Sequence, residues 1–148
     1  MDVLFVCLGN ICRSPLAAGI MQALYREHSL AGIVESAGTA DFNIGCPADH
    51  RSIAVAHENG IDLRDHRARQ ICKADFQKFD HIFAMDNQNN HSLMRIAPDK
   101  SSREKIALLA EKIEIADPYH SNIEAFRTAF SIMKVHCHKR LLLHADMK

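Results

Sequence analysis

Residues 3–6 are a short apolar run, Val-Leu-Phe-Val, that stops at Cys7. The chain then turns through Leu8, Gly9, Asn10, Ile11, Cys12, Arg13 and Ser14 into Pro15 and a helical pattern. A bounded apolar run of this length reads as a buried strand, and a proline is well placed in a first helical turn. A strand that feeds a helix through so tight a loop is the opening of a parallel α/β sheet. The rest of the chain keeps that alternation. Leu16, Ile20, Met21 and Leu24 recur at helical spacing to about residue 28, and residues 33–36 read as a second strand. After Pro47 a helix carries Ile53, Ala54, Ala56 and His57, with Gly60 at its C′ position. Residues 82–85 are a third strand, followed by a helix from Asp86 toward Pro98, and residues 106–109 are a fourth strand. Ser121 with Glu124 makes a capping-box pattern. It opens a long helix whose stripe is Ile123, Phe126, Phe130, Met133, Cys137 and Leu141. The expected fold is a single α/β domain over residues 1–148. It has a four-stranded parallel sheet, doubly wound with helices on both faces, and the functional loop follows strand 1. The chain's 148 residues suit one core.

The loop after residue 6 also has a chemical reading. Backbone N–H groups of a loop and a first helical turn point inward unpaired and bind a tetrahedral anion. Their positive field favours the thiolate, the reactive form of a cysteine, which makes Cys7 a candidate nucleophile. Arg13 offers a planar fork for two anion oxygens. Ser14 suits the N-cap, with a hydroxyl able to reach the sulfur, and Pro15 the first helical position. In isolation a cysteine at a strand end is more often a small buried thiol. The company of Gly9, Arg13, Ser14 and Pro15 favours chemistry. Phe42 and Tyr119 are candidate walls of a slot for a flat ring, although either could simply anchor a loop.

The stretch Val-Leu-Phe-Val-Cys-Leu-Gly-Asn-Ile-Cys-Arg-Ser-Pro resembles the signature loop of the low-molecular-weight protein tyrosine phosphatases. Further resemblances follow in the family's order: Ser36-Ala37-Gly38-Thr39, His66-Arg67-Ala68-Arg69-Gln70, Asp75-Phe76, Phe79-Asp80, Ala84-Met85-Asp86 and Asp117-Pro118-Tyr119. The resemblance implies that phosphotyrosine in proteins, and small aryl phosphates, are hydrolysed through a phosphocysteine on Cys7. Leu8, Gly9, Asn10, Ile11, Cys12 and Ser14 would surround the phosphoryl group, and free phosphate or other oxyanions would inhibit. Asp117 would be general acid and then general base, which suits a carboxylate held out of helical dihedrals by Pro118. Asn10, Ser36 and His66 would shape the loop, and Cys12 would capture an oxidised Cys7 as a disulfide. No cofactor and no metal are implied. The sequence departs from common family patterns at Phe42, near which many relatives carry Trp, and at His120, where several carry a second Tyr.

Three rivals stay open. Arsenate reductases share the fold and loop, but need a resolving cysteine relay for which Cys72 and Cys137 are poorly spaced. Phosphoarginine phosphatases tend to carry a small polar residue where Ile11 stands. A binding module without turnover would not need Cys7, Arg13 and Asp117 together. The composition excludes more. Eighteen basic and eighteen acidic residues cancel, which argues against a nucleic-acid partner. No apolar run approaches membrane-spanning length and no signal-peptide pattern opens the chain, which predicts a cytoplasmic protein away from the membrane. Five cysteines without disulfide-scaffold spacing fit a reducing compartment. The ten histidines show no pair at helical ligand spacing, and Arg64, Arg67, Arg69 and Lys73 read as a solvated basic cluster.

Overall fold

A computed structural model describes residues 1–146, without the side chains of residues 145 and 146. The elements are β1 (Val3–Cys7), α1 (Arg13–Glu27), β2 (Val34–Gly38), α2 (His50–Glu58) and α3 (Asp75–Lys78). They continue with β3 (His81–Ala84), α4 (Asn87–Ile96), α5 (Lys100–Glu104), β4 (Ile106–Leu108) and α6 (Ile123–Asp146). All strand pairs are parallel, in the order β2-β1-β3-β4. The expected four-stranded parallel sheet and single α/β domain are what the structure has.

β1 lies inside the sheet and every residue of it is buried, as expected for a strand covered on both faces. Its side chains alternate between two cores. Val3, Phe5 and Cys7 belong to a cluster with α1, α2 and α6, and Leu4 and Val6 to one with Phe76, Phe79 and Leu93. Helices therefore cover both faces. α1 is wedged between the sheet and α6, which explains why more of it is buried than a single stripe. The α6 stripe is observed: Phe126, Phe130, Met133, Cys137 and Leu141 are buried, and Ile123 packs at its margin. Each such side chain, fully buried, contributes roughly 1.5–3 kcal/mol.

Element ends differ from expectation in informative ways. Ser14 is not the N-cap of α1, because the helix already includes Arg13. That leaves the Ser14 side chain free for another role. β2 runs on to Gly38, which pairs with Cys7. α2 starts at His50, with the Asp49 side chain accepting from Arg51 N–H at 2.8 Å. Val55 and Ala56, not Ala54 and His57, face the core. Gly60 closes α2 as expected: its φ is +75°, and Ile61 N–H reaches Ala56 O at 2.9 Å. The cap of α6 is Asn122 rather than Ser121, with its side chain accepting from Ala125 N–H. The helix expected to run toward Pro98 ends at Ile96. A short α5 follows, capped by Asp99. No helix among the described residues is long and apolar enough to cross a membrane.

Because β2 and β3 flank β1 on opposite sides, the chain reverses direction across the sheet at the carboxyl end of β1. Ligand crevices form at such switch points. Cys7 ends β1 there, and Asp86 follows β3 on the neighbouring strand.

Candidate active site

The loop of residues 8–12 rises from Cys7, and α1 carries the chain away. Asn10 sits at φ +56°, a left-handed conformation that asparagine tolerates better than most residues. Its side chain holds the turn. Asn10 Nδ2 donates to Ser14 Oγ at 2.8 Å and Ser36 Oγ at 2.9 Å, and Oδ1 accepts from Arg69 N–H at 2.9 Å. The Asn10 carbonyl accepts from His66 Nε2 at 2.7 Å. That contact fixes the proton on Nε2, and burial holds the His66 pKa below its ordinary value, so the ring serves as a neutral donor. Gly38 lies against the turn: a Cβ there would meet Leu8 O at 2.8 Å.

Cys7 is buried, with Sγ 3.0 Å from Ser14 Oγ. Asn10 donates to that hydroxyl, whose one proton is shared between the sulfur and a longer contact to Ala37 O at 3.5 Å. Burial, then the charges of Asp49, Cys7 and Asp117, push the Cys12 pKa far above the ordinary thiol value. Cys12 is therefore kept as a thiol.

Arg13 is 2% exposed. Its NH1 donates to Asp86 Oδ2 at 2.7 Å and to Ile115 O at 2.8 Å, and NH2 lies 3.6 Å from Asp117 Oδ2. Burial alone would lower the Arg13 pKa. The charge of Cys7, the hydrogen bond to Asp86 and the charge of Asp117 outweigh it, so the pKa is raised and the group stays cationic. Its Nε is buried with no hydrogen-bond partner among the described residues. None of the backbone N–H groups of residues 8–12 has an acceptor in the protein, again among the described residues. A buried cation beside a run of unused backbone donors on the loop that follows Cys7 makes an anion cradle.

A cleft of about 270 Å³ opens above it. Cys7, Leu8, Gly9, Ile11, Cys12, Arg13, Phe42, Asp117 and Tyr119 line it, along with Asn43 and His120. All three expected catalytic residues and both aromatic walls are brought together. Asn10 and Ser14 do not line the cleft, although both were expected around the anion. Their side chains lie behind the loop, with Ser36 and His66. The expected solvated basic cluster also needs correcting at Arg69, whose guanidinium is paired with Asp75 at 2.9 Å.

Sequence reasoning missed Asp86 as the partner of Arg13, having read it as a helix start and as part of the family's Ala84-Met85-Asp86 pattern. It caps α4 through Oδ1 and holds Arg13 through Oδ2. It also missed Asn43, which donates to Gly9 O at 3.2 Å from the far rim. An acidic cap directly after a strand that neighbours β1 was the available signal for Asp86. Nothing local marks Asn43. Cys72 is exposed, while Cys137 is buried with Sγ 3.9 Å from Ala17 O, so those two thiols have different surroundings from the loop pair.

The sequence matches the family described as low molecular weight phosphotyrosine protein phosphatase over residues 2–147. A Homo sapiens protein of that name is 40% identical over 137 residues, covering 87% of this chain and 86% of that one. A solved protein tyrosine phosphatase from Entamoeba histolytica, with Hepes in its active site, superposes with a TM-score of 0.93. The identity is 34%, and 99% of this chain and 97% of that chain are covered. Vibrio vulnificus Wzb in complex with benzylphosphonate gives a TM-score of 0.84 at 34% identity, covering 93% and 94%.

Proposed function

This chain belongs to the low molecular weight phosphotyrosine protein phosphatases, enzymes that hydrolyse phosphoric monoesters, and from that premise we propose a mechanism built on Cys7, Arg13 and Asp117. The supporting observation is the buried Cys7 sulfur set among N–H donors and an Arg13 Nε that no protein acceptor uses. The phosphoryl group of a phosphotyrosine lies in this cradle. The Cys7 thiolate attacks phosphorus as the P–O bond to the ring breaks, and the S–P bond forms. Asp117 gives its proton to the departing phenolate oxygen, so tyrosine leaves neutral. The resulting carboxylate takes a proton from water, which attacks the phosphocysteine and returns Cys7 as thiolate with inorganic phosphate. Arg13 and the loop amides stabilise the equatorial oxygens in both steps.

Phe42 and Tyr119, with Leu8 and Ile11 at the rim, favour a flat ring. Ile11 offers no hydrogen-bond partner to a guanidinium, which disfavours phosphoarginine. A relative solved in complex with benzylphosphonate, a ring carrying a phosphonate, supports an aryl phosphate as the substrate class here and inhibition by oxyanions. Partners are phosphotyrosine proteins, and free cysteines in the site fit a cytoplasmic setting. Phosphate release from matched phosphotyrosine, phosphoserine and phosphoarginine peptides tests the assignment. Phosphotyrosine is expected to give the highest kcat/KM, and an equal or higher value for phosphoarginine would overturn it.

Cys12 is proposed as the resolving thiol. Peroxide converts the Cys7 thiolate to a sulfenic acid, and Cys12 displaces water to form a disulfide that dithiothreitol reduces. Mild peroxide should inactivate the enzyme reversibly, and Cys12→Ser should recover less activity. Peptide mass spectrometry without a Cys7–Cys12 link would make Cys12 a packing residue.

A further inference from the structure

We propose that Arg51 is the positioning residue that fixes the Asp117 loop relative to the Cys7 cradle, an inference that rests on the general-acid reading of Asp117. Arg51 lies in the first turn of α2, and one edge of its guanidinium grips Asp49: Nε donates to Oδ1 at 3.0 Å and NH2 to Oδ2 at 2.9 Å. The rest of the fork crosses to the acid loop. NH2 donates to Tyr119 O at 2.9 Å and NH1 to Ser121 O at 2.7 Å. The guanidinium also lies over two rings. Its centre lies 4.3 Å from the centroid of the buried Phe126 ring and 5.7 Å from that of Tyr119.

The same turn of α2 holds the phosphate-binding loop. Asp49 N–H donates to Ile11 O at 2.8 Å, and Ser52 Oγ donates to Cys12 O at 3.2 Å. Two loops separated by about a hundred residues are thus clamped to one helical turn, and the clamp on the acid side is Arg51. Upstream of the acid, Ile115 is anchored by Arg13 NH1 on its carbonyl at 2.8 Å and by its own N–H on Met85 O at 2.8 Å; downstream, the anchor is Arg51. The Asp117 side chain is 41% exposed, with Arg13 at 3.6 Å and its own loop's Tyr119 N–H at 3.1 Å as its contacts. Its position relative to the reacting oxygen therefore follows the backbone of residues 117–121. Lysine cannot replace this fork. One ammonium on a flexible stem cannot chelate Asp49, reach two carbonyls and lie over two rings at once.

The test is a leaving-group series. kcat/KM is measured for aryl and alkyl phosphates spanning a wide range of leaving-group pKa, in the unsubstituted enzyme, R51K, D117A and the double variant. Misplacing an acid costs most where the leaving group needs the proton, so R51K should lose roughly tenfold on the poorest leaving groups and little on 4-nitrophenyl phosphate. The inhibition constant for vanadate should stay within about twofold, because the cradle donors are untouched. D117A should steepen the dependence further, and R51K should add little on the D117A background, as expected for residues acting as one unit. A uniform loss across the series, or losses that multiply in the double variant, would overturn the Arg51 role alone. A flat D117A profile would overturn both the acid reading and this inference. D49N keeps an asparagine N-cap on α2 but weakens the fork's anchor, so it should steepen the series in the same direction. It carries the test if R51K does not fold.

Discussion

Cys7→Ser is expected to lower kcat/KM by roughly 10⁴-fold or more, the scale on which enzymes lose activity when a nucleophile is removed. A serine hydroxyl at that position has no base beside it. Its neighbour Ser14 Oγ is a neutral hydroxyl, already engaged with Asn10 and Ala37 O, and too weakly basic to take the proton. Anion binding should survive. The N–H groups of residues 8–12 and the Arg13 Nε keep their positions, because none of them depends on the sulfur for support. Removing the thiolate charge also removes a repulsion against a bound dianion. Calorimetric phosphate binding should therefore be as tight as in the unsubstituted enzyme, or tighter. Residual turnover within about tenfold of normal would remove Cys7 from the nucleophile role.

The parts legible in the sequence are those whose physics is local. A four-residue apolar run, a helical apolar stripe and a glycine after a helix each act within a turn or two. β1, the α6 stripe and the Gly60 closure of α2 were accordingly found where expected. The cradle was legible because Cys7, Arg13 and the loop amides lie on one short segment. Contacts across the fold were not. The Arg13–Asp86 and Arg51–Tyr119 contacts join residues 73 and 68 positions apart, and no spacing rule announces them. The errors at helix starts share one cause. Ser14 and Ser121 both look like caps, but tertiary contacts set the boundary. Arg13 enters α1 while its guanidinium reaches Asp86 and Ile115, and Ser14 binds Asn10. At α6 the carbonyl of Ser121 is held by Arg51 and the capping falls to Asn122. The short helices α3 and α5 carry too few residues to show a period.

Arg13→Lys tests whether the cradle's cation acts by charge alone or by shape. Both residues are cationic, so a role as a point charge would survive the exchange. The structure argues for shape. The Arg13 guanidinium spends NH1 on Asp86 and Ile115 O, faces Asp117 with NH2, and keeps Nε free. Three directions are served by one rigid plane on a residue that is 2% exposed. A lysine ammonium held by Asp86 would be drawn away from the anion, and one held by the anion would leave Asp86 with a weaker partner. The oxygens of a phosphoryl group spread into a plane as phosphorus is attacked, a shape that suits a planar donor group, so the loss should fall more on the transition state than on the ground state. kcat should drop by about 10²–10³-fold, the range for removal of one preorganised donor. Vanadate, which adopts the five-coordinate geometry of the transition state, should weaken as an inhibitor more than phosphate does. Equal weakening of the two with kcat unchanged would mean that Arg13 binds both states uniformly. A kcat within about fivefold of normal would show that a charge at this position is sufficient and that its planar fork is not used.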